Sequence, residues 1–365
     1  MAPPVYLNGR FLKQPVTGVQ RFSAEVTAAI DRLVQDREWP ETVVLLPRSR
    51  GAEINGSPPA RYERLALRQI GRTRGHLWEQ TELPTAARGG TLVNLGNTAP
   101  ILTGSRQIVV IHDAGVFDTP ESYSFRFRSS YKALQRGLVR TGAHVVTVSK
   151  FSRDRIAARL GIDAASITVM YEGSDHILRP TADPGLLHRH GLRPRQFALV
   201  VGRRAAHKNL TALTEVATAL KRRGIVIAYA GGGNSTIFRD TSVLASDEHE
   251  LGRITDAELR ALYENAVCLL FPSRYEGFGL PPVEAMACGC PVLASRGGAV
   301  EEICGDGALY FDTDIKPSVV AAVDRLLDEN GLIEALRTRG LARAASLNWR
   351  ASARVLGQAL QRVQL

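Results

Sequence analysis

The chain has 365 residues, 44% hydrophobic and 22% charged, with a net charge of +10 and a pI near 9.7. This balance excludes a disordered or fibrous chain, and no apolar run approaches the ~20 residues of a membrane-spanning helix. The length favours two domains over one, and the basic surface points to an anionic partner, lipid or diphosphate rather than nucleic acid, for which no motif is present.

Strand and helix signals alternate along the chain. Residues 1–15 hold Pro3, Pro4, Asn8, Gly9 and Arg10 but no apolar leader core, so a cytosolic protein is expected. Apolar runs at 5–8, 43–46, 92–95, 108–111 and 145–148 predict buried strands, and the spacing of Val19, Phe22, Val26, Ile30 and Leu33 predicts a helix after the first. A second set of runs begins at 197–201 and continues at 225–230, 267–271 and 291–294. Between the sets, residues 179–185 are rich in Pro and short polar residues and read as a linker. Such alternation gives parallel sheets covered by helices. The predicted class is therefore α/β, with two Rossmann-like domains (1–178 and 186–347) facing each other across a cleft. Val355, Leu356, Ala359, Leu360 and Val363 predict a last helix within 348–365.

In the first half, Ile108-Val-Val-Ile-His112-Asp113 sets His112 and Asp113 at a strand's carboxyl end, the edge at which open α/β sheets bind ligands. Gly18 and Arg21 lie where the first strand joins the first helix, and Asn97 lies on another loop of that rim. Trp78, Glu79 and Gln80 read as packing residues. Arg126, Arg128, Lys132, Arg136 and Arg140 form a basic stripe on a predicted helix, with Phe127, Tyr131, Leu134 and Leu138 available for the other face. The stripe fits an ordinary solvated face or an anionic membrane surface.

In the second half, the run 197–201 leads into Gly202-Arg203-Arg204-Ala205-Ala206-His207-Lys208-Asn209. Arg203 or Arg204 with Lys208 suits a diphosphate, and Asn209 is expected to cap the helix that follows. Gly231-Gly232-Gly233 follows the next strand, and Thr255 with Glu258 forms a capping-box pattern before Leu259, Leu262 and Tyr263, which read as core. Cys268, Cys288, Cys290 and Cys304 have neither zinc nor redox spacing. The densest string is Pro272-Ser-Arg-Tyr-Glu276-Gly277-Phe278-Gly279-Leu280-Pro-Pro-Val-Glu284-Ala-Met-Ala-Cys-Gly-Cys-Pro-Val292. Glu276 falls on a loop after a strand, and Glu284 in the first turns of a helix starting near Pro282. Gly277 and Gly279 let backbone approach a ligand, and the helix start offers N–H groups to an anion. One carboxylate suits sugar hydroxyls and the other a ribose, with phosphate between them.

This string resembles the Glu-x7-Glu signature of retaining GT-B glycosyltransferases of family 4, and the resemblance runs over nearly the whole chain, most specifically over 197–312. It implies that Glu276 holds the transferred sugar, that Glu284 holds the ribose, and that Gly277, Phe278, Gly279 and Leu280 line the donor. It further implies that Gly202, Arg203 and Lys208 contact the diphosphate, that Gly231, Arg253 and Ile254 lie at the base, that Gly18 approaches the donor phosphate, and that His112 stands near the anomeric carbon. The family's loop Pro is Ala206 here, and its first Gly-rich loop keeps one glycine, Gly18. The resemblance also implies that the C-terminal helix crosses back to the first domain, that no metal is needed, and that the donor is a nucleotide sugar. GDP-mannose is the first expectation and UDP-sugars remain open. The acceptor is expected to be a saccharide, carried on a polyprenyl diphosphate. A nucleotide-sugar epimerase and a non-catalytic sugar-nucleotide binder are the alternatives.

Overall fold

The computed structural model describes residues 3–48, 62–232 and 248–364. The chain divides into two compact units, one of residues 1–117, 129–172 and 349–365, the other of 118–128 and 173–348.

The first unit is built on seven parallel strands: β1 Val5–Asn8, β2 Thr42–Pro47, β3 Ala66–Ile70, β4 Thr91–Asn94, β5 Gln107–Val110, β6 His144–Thr147 and β7 Thr168–Val169. Their order is β3-β2-β1-β4-β5-β6-β7. The helices are α1 Gly18–Gln35, α2 Gly75–Ala86, α3 Gly115–Asp118, α4 Phe125–Arg140 and α5 Lys150–Leu160, with Asp118 and the first turn of α4 falling in the 118–128 segment of the other unit. Inner strands such as β1 and β4 are buried on both faces, which is why they read as continuous apolar runs. Leu45, Trp78, Leu83 and Leu92 form one apolar cluster, and Val109, Ile111, Leu138, Val145 and Ile156 another.

The second unit holds α6 Leu186–Arg189, α7 Thr214–Arg222, α8 Asp256–Asn265, α9 Leu280–Ala287, α10 Gly298–Cys304, α11 Lys316–Asp328 and α12 Leu332–Ala345. Its six parallel strands are β8 Phe197–Val201, β9 Val226–Ala230, β10 Glu248–Gly252, β11 Leu269–Phe271, β12 Val292–Ser295 and β13 Ala308–Phe311, in the order β10-β9-β8-β11-β12-β13. This is the doubly wound order, reversing between β8 and β11. The final helix, α13 Trp349–Gln364, belongs to the first unit. There Trp349 packs edge-on against Phe22 of α1 at 5.8 Å, and Arg350 and Arg354 both donate to Glu38. Exposed ion pairs of this kind contribute little, so the buried Trp349, Leu356 and Leu360 hold the helix.

The capping box at α8 forms as expected: Glu258 N donates to Thr255 Oγ1 at 3.3 Å, and Thr255 N donates to Glu258 Oε2 at 2.8 Å. Thr255→Ala is expected to cost about 1 kcal/mol, a fall in Tm of ~2–4 °C by calorimetry. Asn209 caps nothing with its side chain. It sits at φ +51 before a short 3-10 turn, and α7 begins five residues later at Thr214. Helix α9 starts at Leu280, two residues before Pro282, because both prolines of Leu280-Pro-Pro fit a first turn that needs no N–H donors.

Candidate functional site

The reversal of strand order in the second unit brings two loops together. The loop after β8 carries Gly202, Arg203, His207 and Lys208, and the loop after β11 carries Ser273, Glu276 and the Gly-Phe-Gly turn. Arg274 N donates to His207 O at 2.8 Å and fixes one loop against the other. Lys208 Nζ lies 2.5 Å from Glu276 Oε1 and 5.1 Å from the centre of the Phe271 ring. Ser273 Oγ also donates to Glu276, and Ser295 Oγ holds the Ser273 carbonyl. A small cavity here is lined by Gly202, Arg203, Lys208, Tyr229, Phe271 and Ser273.

Burial alone would raise the Glu276 pKa. The charges of Lys208 and His207 and the bonds from Lys208 and Ser273 outweigh it and hold the carboxyl below its usual range. The Arg203 guanidinium is pushed down by burial and by the like charge of Arg253. Like charges that raise each other's energy in this way attract an anion. Arg204 turns away from this function, since it pairs with Glu250 at 2.9 Å and lies over the Tyr229 ring.

Glu284 lies deeper, 6% exposed. His176 Nε2 meets its Oε1 at 2.8 Å, and Tyr263 Oη donates to its Oε2 at 3.0 Å. Tyr263 is core, as its spacing predicts, and also a hydrogen-bond donor to this carboxylate. Gly279 caps α9 at φ +99, while Phe278 is buried, so only its backbone can face a ligand. Gly202 (φ +140) and Gly231 (φ +143) close the ends of β8 and β9, where Gly231 N donates to Gly252 O. Arg253 and Ile254 follow β10, with Arg253 exposed. Gly233 lies outside the described residues.

In the first unit, Gly18 opens α1, and among the described residues a Cβ there would meet nothing within 4 Å. Arg21 lies 3.9 Å from Glu25. His112 is enclosed: Nε2 meets Leu95 O at 3.0 Å, Nδ1 lies 3.6 Å from Glu172 Oε1, and Phe22 packs edge-on to the ring. Nε2 is taken up by Leu95 O and Nδ1 faces the Glu172 carboxylate, and the residue holds the 95–98 loop, where Asn97 Oδ1 accepts from His112 N. Asp113 makes a turn, accepting from Gly115 N. On α4, Lys132 and Arg136 lie over the Phe117 ring at 5.0 and 5.5 Å, and Arg126, Arg136 and Arg140 are all exposed.

Residues 189–343 match the model of the glycosyl transferases group 1 family, and thus include both loops. The chain is 30% identical over 256 residues to O-antigen chain mannosyltransferase B of Escherichia coli, spanning 67% of each protein. The chain belongs to the group 1 glycosyltransferases. It is also 28% identical over 237 residues to the O-antigen chain mannosyltransferase RfbU of Salmonella typhimurium, 63% of each chain. Its fold is that of the GT-B glycosyltransferases: it superposes on Anabaena Alr3699/HepE, solved with UDP and glucose, with a TM-score of 0.71 at 16% identity, covering 99% of this chain and 100% of the other.

Several side chains of this glycosyltransferase have surroundings that its sequence strings do not show. His207 Nδ1 meets Ser122 Oγ at 3.1 Å. Burial and Lys208 push His207 down to about 4, against the opposing pull of Glu276 and Glu121. The unfolded chain therefore takes up this proton first, near 6.5. The contribution is fully present above pH 6.5 and is lost as pH falls through 4, up to roughly 3 kcal/mol. Melting curves from pH 7.5 to 4 should show a shallower acid decline for His207→Gln than for the native chain. Asp312-Thr313-Asp314 is an Asp-x-Asp string of the kind associated with metals; here it forms a turn, Asp314 N donating to Asp312 Oδ1, with Asp314 3.5 Å from Arg274. The four cysteines are unpaired; Cys268, Cys290 and Cys304 are buried, and burial raises all four thiols. Among the described residues no helix is long and apolar enough to cross a membrane.

Proposed function

We propose that this glycosyltransferase is a retaining enzyme of family 4 that moves mannose from GDP-mannose to a saccharide acceptor carried on a lipid. The observation that carries the reading is the meeting of Lys208, Arg203 and an ionised Glu276 at the strand-order reversal of the second unit. An anionic diphosphate fits the cations, and charged Glu276 accepts hydrogen bonds from sugar hydroxyls more strongly than a neutral group would. Glu284, oriented by His176 and Tyr263, is a carboxylate of the kind that accepts from a ribose hydroxyl. Mannose is favoured over other hexoses by the two mannosyltransferases to which the chain is similar.

In the reaction the bond from the anomeric carbon to the β-phosphate breaks, and the acceptor oxygen bonds to that carbon on the same face. The acceptor's proton passes to the departing phosphate. Arg203 and Lys208, with the N–H groups at the start of α9, stabilise the charge gathering on the diphosphate. This cationic set takes the place of a metal, so turnover is expected to be unchanged by EDTA. The test is release of GDP from GDP-mannose, against UDP from UDP-glucose, in the presence of a membrane lipid extract, with the product's anomeric configuration read by NMR. Release of neither nucleotide would refute the reading, and an inverted product would refute retention.

The exposed Arg126, Arg136 and Arg140, beside a Phe125 that is 73% exposed, suit an anionic membrane surface where a lipid-borne acceptor is met. Charge reversal at the three arginines should abolish co-flotation with anionic liposomes. Unchanged flotation would remove this part of the proposal.

A further inference from the structure

The first unit has a strand-order reversal of its own, between β1 and β4. Ligands of open parallel sheets bind outside the carboxyl ends at such a reversal. What occupies this one is a polar cluster. Asn8 ends β1, Asn94 ends β4, Arg10 and Thr98 follow them, and α2 supplies His76 and Glu79. Asn8 Nδ2 donates to Glu79 Oε1 at 2.9 Å and to Asn94 Oδ1 at 3.0 Å. Thr98 Oγ1 donates to Glu79 Oε1 at 3.1 Å and accepts from Arg10 Nη2 at 2.9 Å. Arg10 Nε lies 3.5 Å from Glu79 Oε1, and the Glu79 side chain is 1% exposed. Apolar residues of similar volume are often at least as stable as such a buried pair, so stability alone does not explain Arg10 and Glu79.

The cluster reaches solvent through His76, whose side chain is 54% exposed. Its Nδ1 lies 3.1 Å from Arg10 Nη1, which can only donate, and 3.2 Å from Glu79 Oε2, which accepts when ionised. One ring nitrogen cannot serve both. Burial opposes ionisation of Glu79, but His76, Arg10 and Asn8 together hold its carboxyl below the usual range. The ionised carboxylate favours the proton on Nδ1. That tautomer leaves the lone pair on Nε2 and leaves an Arg10 N–H in need of an acceptor. The Tyr131 ring stands edge-on to His76 at 5.9 Å. Arg10 and Glu79 cancel in charge, so the place suits a neutral ligand carrying both donors and acceptors rather than an anion.

We propose that His76, Arg10 and Tyr131 form a subsite for a neutral hexopyranose ring of the saccharide acceptor, with His76 Nε2 accepting from one sugar hydroxyl and Arg10 donating to another. Glu79 is a positioning residue that selects the imidazole tautomer. The proposal rests on the reading that the acceptor is a saccharide. Saturation-transfer NMR with methyl α-D-mannopyranoside and methyl α-D-glucopyranoside tests it on the full chain. Transfer to at least one glycoside is expected, falling at least fivefold in His76→Ala and partly restored in His76→Gln, whose amide oxygen can accept. No transfer with the native chain, or transfer unchanged in His76→Ala, would overturn the proposal. GDP and UDP melting shifts on the same samples report the donor site separately, so either reading can fail while the other stands.

Discussion

Glu276→Gln is expected to lower kcat about 100-fold or more while the protein stays folded. The amide keeps the shape of the carboxyl and can still accept from Ser273, but it cannot balance Lys208, which lies 2.5 Å away. Charged hydrogen bonds are roughly twice as strong as neutral ones, and loss of one preorganised electrostatic contact in an active site typically costs 10²–10³ in rate, or ~2.7–4 kcal/mol. The check is nucleotide release under saturating donor, with a melting curve beside it. A kcat within threefold of the native value would show that Glu276 does not act on the transferred sugar, and would favour a non-catalytic binder.

Gly231→Ala should cost about 3 kcal/mol or more without touching any ligand. Gly231 has φ +143, and a Cβ there would stand 1.9 Å from the carbonyl oxygen of Gly202. The obstacle is backbone at the end of β8, so relief requires the β8 and β9 ends to part and strains the Gly231 N bond to Gly252 O. For a unit of this size the loss corresponds to a Tm lower by ~6–12 °C. Gly232 is the control. Its φ is ordinary and, among the described residues, its Cβ would meet nothing nearer than 3.7 Å, so Gly232→Ala should melt close to the native chain. Equal melting of the two variants would contradict this. Gly231 is thus required by the fold at a place where the sequence suggests only proximity to a nucleotide.

The inner strands were readable because burial on both faces leaves a continuous apolar run, as in Phe197–Val201. β3, β7 and β10 carry no such signal, and each is an edge of its sheet; the fourth edge, β13, is the short apolar run Ala308-Leu-Tyr-Phe311. An edge strand needs no apolar residue on its solvent side, and Ala66-Leu-Arg-Gln-Ile70 is exposed along most of its length.

The loops after β8 and β11 were legible for a different reason: their charged residues and glycines are packed into short strings, 202–209 and 272–284. What the strings do not carry is pairing across the fold. Lys208 and Glu276, assigned separately to phosphate and sugar, are bonded to each other across 68 positions. The His176 partner of Glu284 is 108 residues away, and nothing local marks it. Glu79 reads as packing beside the buried Trp78, yet it is the hub of a charged cluster whose other members include residues of β1, β4 and their loops. His112 shows the reverse. A histidine at a strand's carboxyl end looks available, but Leu95 O, Glu172 and Phe22 enclose it.

The most direct test of the central claim, that the loops after β8 and β11 bind a nucleotide sugar through Lys208, is a melting panel. The native chain and Lys208→Ala would be heated with GDP, UDP, GDP-mannose and UDP-glucose. Ligand at ~100 times its Kd stabilises by about 2.7 kcal/mol, a shift of several degrees. The prediction is a rise in Tm with GDP and GDP-mannose that is lost in Lys208→Ala. No rise with any nucleotide, or a rise that Lys208→Ala retains in full, would contradict it.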